Sequence, residues 1–121
     1  MMSILEAVMD ENMEALRDAL SVGNIDEQDP ESGFSALHYC AQYGNVEMAK
    51  LLIDNGASVN LKDNYGNTAL FKAVFFSDGK TDIIKLLIGA GADPDEENNS
   101  GMTPKKLAEN IATFDITEAF K

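Results

Sequence analysis

Apolar residues in this chain fall into short, helix-length groups separated by polar turns, and the groups repeat. From Ser35 to Asn60 a small-residue turn leads into Ala36-Leu37, two short segments of helical apolar periodicity follow, and Gly56-Ala57 closes the stretch. The next block keeps that order. Thr68-Ala69-Leu70-Phe71 answers Ser35-Ala36-Leu37-His38, and Leu86-Leu87-Ile88 before Gly91-Ala92 answers Leu51-Leu52-Ile53 before Gly56-Ala57. Such patterning predicts pairs of short helices that bury a shared seam. The expected seam is Leu37, Val46, Leu51 and Leu52 with Leu70, Ile83, Leu86 and Leu87, and Ala36, Ala41, Ala69 and Ala73 let neighbouring helices approach closely.

Glycines supply the period. Gly33, Gly66 and Gly101 sit in turn sequences, and Gly23, Gly56 and Gly91 follow apolar helical groups, each ten residues ahead of the next turn glycine. Equivalent glycines are 33 and then 35 residues apart. Repeats of this length stack, because one unit cannot bury its apolar face alone. Asp63-Asn64-Tyr65-Gly66 is a turn sequence, Thr68 suits a helix N-cap, and Gly56 and Gly91 suit left-handed positions just past a helix end. The two extra residues of the longer step fall around Ser77-Asp78-Gly79-Lys80-Thr81, in the turn joining the two helices of that unit.

Ser35-Ala36-Leu37-His38-Tyr39-Cys40 resembles the Thr-Pro-Leu-His-x-Ala signature of the ankyrin repeat, and Thr68-Ala69-Leu70-Phe71-Lys72-Ala73 is a second copy with phenylalanine in place of histidine. The resemblance implies an all-α solenoid of about four helix-turn-helix units, each opened by a β-turn finger. It also implies that His38 hydrogen-bonds within its turn. Ile4 to Met9 and Asn12 to Leu20 form an expected N-terminal helix pair with no finger ahead of it, and Thr103-Pro104 opens the last unit. Lys105 stands where the repeat carries leucine, a substitution expected only in a terminal unit. The expectation is one complete domain over 1–121: an N-terminal cap over 1–28, a repeat over 29–61, a repeat with the two-residue insertion over 62–96, and a C-terminal cap over 97–121.

Charge narrows the functional classes. The 121 residues hold 21 acidic and 9 Lys or Arg side chains, a formal net charge of −12. Cations are needed to neutralise phosphate or anionic lipid, so neither nucleic acid nor a membrane surface is an expected partner. Cys40 is the only cysteine, which excludes an internal disulfide. With no basic leader and no long apolar run, a soluble cytoplasmic protein is expected.

No catalytic or cofactor constellation emerges. Gly79-Lys80-Thr81 imitates the end of a phosphate-binding loop, but positions 74 and 75 are valine and phenylalanine and the upstream glycine is missing. His38 has no second histidine or cysteine at ligand spacing, and Asp93-Pro94-Asp95-Glu96-Glu97 lacks the alternation and glycine of a calcium loop. The chain is therefore expected to be a binding protein without enzymatic activity or cofactor.

The resemblance implies binding through the finger tips and the exposed face of each unit's first helix. The residues assigned to that face are Glu31, Phe34, Tyr39, Gln42, Tyr43, Tyr65, Asn67, Lys72, Phe75 and Phe76, and six of the chain's nine aromatics lie among them. Interface anchors are enriched in aromatic side chains. Residues 1–31 carry nine acids and one base, residues 32–92 five of each, and residues 93–121 seven acids and three bases. Asp26, Glu27 and Asp29 on one finger and Asp93, Asp95, Glu96 and Glu97 on another form an expected acidic rim that would steer a basic protein partner. The leading expectation is a monomeric inhibitor of a basic partner. The insertion and the ending Leu107 to Asp115 resemble small stand-alone bacterial ankyrin proteins, some of which are immunity proteins against nuclease toxins. The alternative is a general intracellular adaptor without inhibitory activity.

Overall fold

The computed structural model describes residues 1–111 and 115–121, and residues 112–114, part of that ending, lie outside the described set. Seven α-helices follow one another among the described residues: α1 Ile4–Met9, α2 Met13–Leu20, α3 Ala36–Tyr43, α4 Val46–Asp54, α5 Ala69–Phe75, α6 Asp82–Gly89 and α7 Pro104–Asn110. A 3-10 turn, Thr117–Phe120, comes last. The fold is the all-α repeat solenoid that the residue pattern predicts.

Every helix but α6 starts where a short polar side chain accepts an orphan backbone N–H, and Thr81 ahead of α6 makes no such bond. The Ser3, Asn12, Asn45, Thr68 and Thr103 side chains accept from the N–H groups of Glu6, Ala15, Met48, Phe71 and Lys106. At α3 the exchange is reciprocal: the Ser35 hydroxyl accepts from the His38 N–H, and the Ser35 N–H donates to His38 Nδ1 at 3.0 Å. Pro104 occupies the first turn of α7, where its missing N–H costs nothing. Gly56 and Gly91 have φ of 90° and 101°, the left-handed positions expected beyond α4 and α6. Only Gly44 and Asn45 link α3 to α4, whereas Phe76 to Thr81 link α5 to α6 and carry Asp78 and Gly79 at positive φ.

The first helices pack in a row, α1 on α3, α3 on α5 and α5 on α7, backed by α4 against α6 and by the 3-10 turn against α6 and α7. Leu16, Leu37, Met48, Leu52, Leu70, Ile84, Leu87 and Ile116 are fully buried between the rows. Ala36, Ala41, Ala69 and Ala73 are buried at the contacts between first helices, as their size requires. Val46, Leu51 and Leu86, expected in the seam, pack only on its margin, and Met48 and Ile84 hold the central places instead. The apolar stripes of α4 and α6 are rotated by part of a turn from the expected ones.

The fingers are joined by a polar ladder. The Asn64 N–H donates to Ser32 O at 2.9 Å and its side-chain amide to Glu31 O at 2.7 Å. One unit on, the Asn99 N–H donates to Tyr65 O at 3.0 Å and its amide to Asn64 O at 3.1 Å. Gly33 and Gly66, both at φ 78°, leave the room: a Cβ on Gly33 would sit 2.6 Å from Asn64 Oδ1, and one on Gly66 2.5 Å from Asn99 Oδ1. A fully buried leucine contributes about 1.5–3 kcal/mol and a neutral hydrogen bond about 1 kcal/mol. Helix packing therefore holds the stack together, and the ladder fixes its register.

Candidate protein-binding face

Three elements converge on one hollow. The first finger brings Phe34, the second brings Asp63, Tyr65 and Asn67, and α5 brings Phe71, Lys72, Phe75 and Phe76; together they line a cavity of about 260 Å3. Its floor is fixed by the finger itself. Asp63 is buried and accepts at Oδ1 from the N–H groups of Tyr65 and Asn67, both at 2.9 Å. Asn67 O accepts from His38 Nε2 at 2.8 Å, and Asn67 Oδ1 accepts from the Asn98 amide at 2.8 Å.

An aromatic strip runs from α3 across this hollow. Tyr43 lies 6.3 Å from Tyr39 between ring centroids, Tyr39 meets Phe34 edge-on at 5.4 Å, and Phe34 stacks on His38 at 5.7 Å. The Lys72 ammonium closes the gap to α5, 3.8 Å from the centroid of Phe34 and 5.3 Å from that of Phe76. Phe76 then meets Phe75 at 5.0 Å. Tyr43 at 41%, Phe76 at 46%, Phe75 at 63% and Tyr65 at 69% exposure leave much of the strip open to solvent. A second hollow of about 270 Å3 lies beside it, lined by Gln42, Tyr43 and Phe76 with Ser77, Asp78 and Lys80 of the longer loop.

The structure thus places Phe34, Tyr65, Asn67, Lys72, Phe75 and Phe76 around one hollow and Gln42 and Tyr43 around the adjoining one. One of the expected contact residues is corrected. Tyr39 is buried, and its hydroxyl donates to Asp29 Oδ2 at 3.1 Å, so it supports the strip from below. Lys72 is largely buried as a residue, with its ammonium set against the rings of Phe34 and Phe76, and it still lines the hollow. Asn67 is half-buried and occupied by the bonds to the neighbouring units. Glu31 is exposed, and its carbonyl belongs to the ladder. Phe71 and Asp63 line the hollow but were not assigned to the face. Phe71 stands at the His38 position without a ring N–H, a signal that this turn is built differently.

The acidic rim is corrected in the same way. Asp26 is bound to Ser58 through the backbone N–H at 2.9 Å and the hydroxyl at 2.8 Å. Asp29 accepts from the Glu31 N–H at 2.8 Å and from Tyr39; these hydrogen bonds, the first foremost, hold its carboxyl below the usual range against the opposing effect of burial. Asp93 accepts from the Asp95 N–H at 2.9 Å, and Glu96 pairs with Lys62 at 3.2 Å. Glu27, Asp95 and Glu97 remain exposed and uncommitted in side-chain bonding among the described residues. Asp29 and Asp93 build turns and Asp26 and Glu96 tie neighbouring units together, which their spacing in the chain does not announce.

Burial pushes the thiol of Cys40 up to about 12, with the charge of Glu11 adding to the effect, so this cysteine is a packing residue and not a nucleophile. Burial also lowers His38 and Lys72 from their ordinary values. The bond to Asn67 opposes the shift at His38, and the charge of Asp63 opposes it at Lys72.

Helix pairs stacked in register by their turns, with an open aromatic strip along the first helices, define a repeat scaffold of the protein-interaction class. The chain belongs to the ankyrin-repeat family: a family profile described as "Ankyrin repeats (3 copies)" matches residues 4–108. Protein phosphatase 1 regulatory subunit 27 of Mus musculus is 41% identical over 90 residues, covering 74% of this chain and 56% of that protein. Its Homo sapiens counterpart is 43% identical over 76 residues, covering 63% and 48% respectively. The E3 ubiquitin-protein ligase hecd-1 of Caenorhabditis elegans is 31% identical over 101 residues, covering 83% of this chain and 4% of the ligase. The chain spans about half the length of the two phosphatase regulatory subunits. Among the described residues no helix is long and apolar enough to cross a membrane.

Proposed function

We propose that this chain is a non-enzymatic adaptor that docks a protein partner on its fingers and first helices. One observation carries the proposal: Phe34, Tyr65, Lys72, Phe75 and Phe76 converge on a single hollow while the large faces of Tyr65 and Phe75 stay in water. Aromatic side chains grouped in this way act as anchors when a partner covers them. Two relatives are named as regulatory subunits of a phosphatase, which favours a role in bringing proteins together over the narrower expectation of a bacterial immunity protein. The relatives named above come from mouse, human and nematode and lend that narrower expectation no support. A cytoplasmic, monomeric adaptor whose partner is basic around the docking site accords with the net charge of −12 and the exposed Glu27, Glu31, Asp95 and Glu97.

The test is affinity capture from native cells with three baits: the wild type, a Tyr65→Ala, Phe75→Ala variant, and a Glu47→Lys, Lys50→Glu variant on the exposed side of α4. The adaptor reading expects the first and third baits to retain a common protein that the second loses, with all three equally stable to heat. Loss of that protein with the α4 variant alone would move the interface to the back of the stack.

A further inference from the structure

The hollow contains a cation with no ion-pair partner of its own. Lys72 Nζ lies against the rings of Phe34 and Phe76, and among the described residues it has no carboxylate within ion-pair distance and no hydrogen bond to a protein acceptor. In a chain with 21 acidic side chains against 9 basic ones, that isolation is a consequence of the architecture. Asp63, on the floor of the hollow, acts on Lys72 through its charge but not as an ion pair, and gives Oδ1 to the finger's own N–H groups. Aromatic faces attract an ammonium by about 0.5–2 kcal/mol, but they do not neutralise it. Burial already disfavours its charged form.

The surroundings say what could neutralise it. Phe34, Phe71, Phe75, Phe76 and Tyr65 make the rest of the lining largely apolar, and at about 260 Å3 the hollow is smaller than the roughly 300–1,000 Å3 of clefts that enclose a drug-sized ligand. It suits one or two side chains of a docked segment. A cationic side chain would find the inner face of Phe34 already taken by Lys72 and would meet a like charge there. A carboxylate would complete an ion pair in a partly desolvated place.

We propose that the hollow selects a partner segment carrying a carboxylate next to an apolar side chain, with the carboxylate on Lys72 Nζ and the apolar group against Phe75 and Tyr65. The proposal rests on the reading of this face as the docking surface and adds the chemistry of the residue at its centre. The charge sought at the centre is opposite to the one that the exposed finger carboxylates attract around it. The partner segment is thus acidic and apolar at its core, with basic residues outside it.

Titration of 15N-labelled protein with three blocked tripeptides, acetyl-Leu-Asp-Phe-amide and its Asn and Lys analogues, tests this by NMR. The Asp peptide should shift the amide signals of residues 65–76 and bind about fivefold more tightly than the Asn peptide, the scale of a partly screened ion pair. Lys72→Met removes the charge while keeping an unbranched side chain and should erase that preference; Lys72→Arg should keep it. Dispersed spectra of both variants establish that they are folded. Equal affinities for the Asp and Asn peptides, a preference for the Lys peptide, or a preference that survives Lys72→Met would overturn the carboxylate assignment and leave the docking face intact. Shifts confined to another face, or none with any peptide, would overturn both.

Discussion

His38 is fully buried, and its two ring nitrogens hold opposite hydrogen-bond roles. Nδ1 accepts from the Ser35 N–H, so Nε2 carries the proton and donates to Asn67 O. Protonating Nδ1 would set a donor against a donor in a dry place, and burial lowers the ring from its ordinary 6.5. The unfolded chain then binds a proton that the folded one refuses, so stability is complete above the unfolded value and declines as pH falls from about 6.5 toward the lower folded value, by at most about 1.4 kcal/mol per pH unit. Thermal unfolding between pH 7.5 and 5.5 should show the wild type losing stability on acidification. A His38→Phe variant, built like the second copy at Phe71, should be less stable at pH 7.5 and flatter across that window. Equal slopes would remove His38 from the account. The bond inside the turn is what the family resemblance implies. The bond to Asn67 joins residues 29 apart, and nothing local in the chain points to it.

At the scale of the element, the finger is where local pattern and tertiary packing can be separated. Gly33, Gly66 and Gly101 share one backbone conformation, φ 78°, but a Cβ on Gly101 would meet nothing within 4 Å, whereas one on Gly66 would meet Asn99 Oδ1 at 2.5 Å and Asn99 N at 2.8 Å. Gly101→Ala should cost only the left-handed strain, about 1–2 kcal/mol, and Gly66→Ala should cost distinctly more because the next finger must also move. Denaturant titration of the two variants checks the ordering, and equal losses would mean that the ladder does not hold the register. Helix caps, closing glycines and the alanine contacts were legible because each depends on a few neighbouring residues. The central places of Met48 and Ile84 and the burial of Tyr39 were not, because they depend on how far each helix is rotated in the stack. Periodicity over eight or nine residues does not fix that angle.

Over the whole molecule, charge acts at two ranges. The exposed carboxylates should chiefly govern encounter, while Phe75 and Tyr65 should govern how long a partner stays. Reversing Glu27, Asp95 and Glu97 to lysine should slow association with a basic partner severalfold at low salt, with little change in dissociation and with the difference fading as ionic strength rises. Stopped-flow mixing at two salt concentrations separates the cases, and a change confined to dissociation would contradict steering. Clustering of acids on the fingers was legible in the chain; which of them are occupied by Ser58, Lys62 or their own turns became apparent only from the folded coordinates.

The finger ladder also has a direction. In the turns begun by Asp29, Asp63 and Asn98, each of which accepts the N–H two residues on, Pro30 stands where the later fingers have Asn64 and Asn99. Proline has neither the N–H nor the side-chain amide that the ladder uses. At the other edge Asn99 O and Ser100 O accept no protein donor among the described residues, although their counterparts Asn64 O and Tyr65 O each do. For protein engineering this makes the scaffold a one-ended template. A synthetic unit grafted downstream of Gly101 meets two vacant acceptors and an uncovered glycine, whereas a unit grafted ahead of the first finger meets a pyrrolidine ring that has nothing to donate.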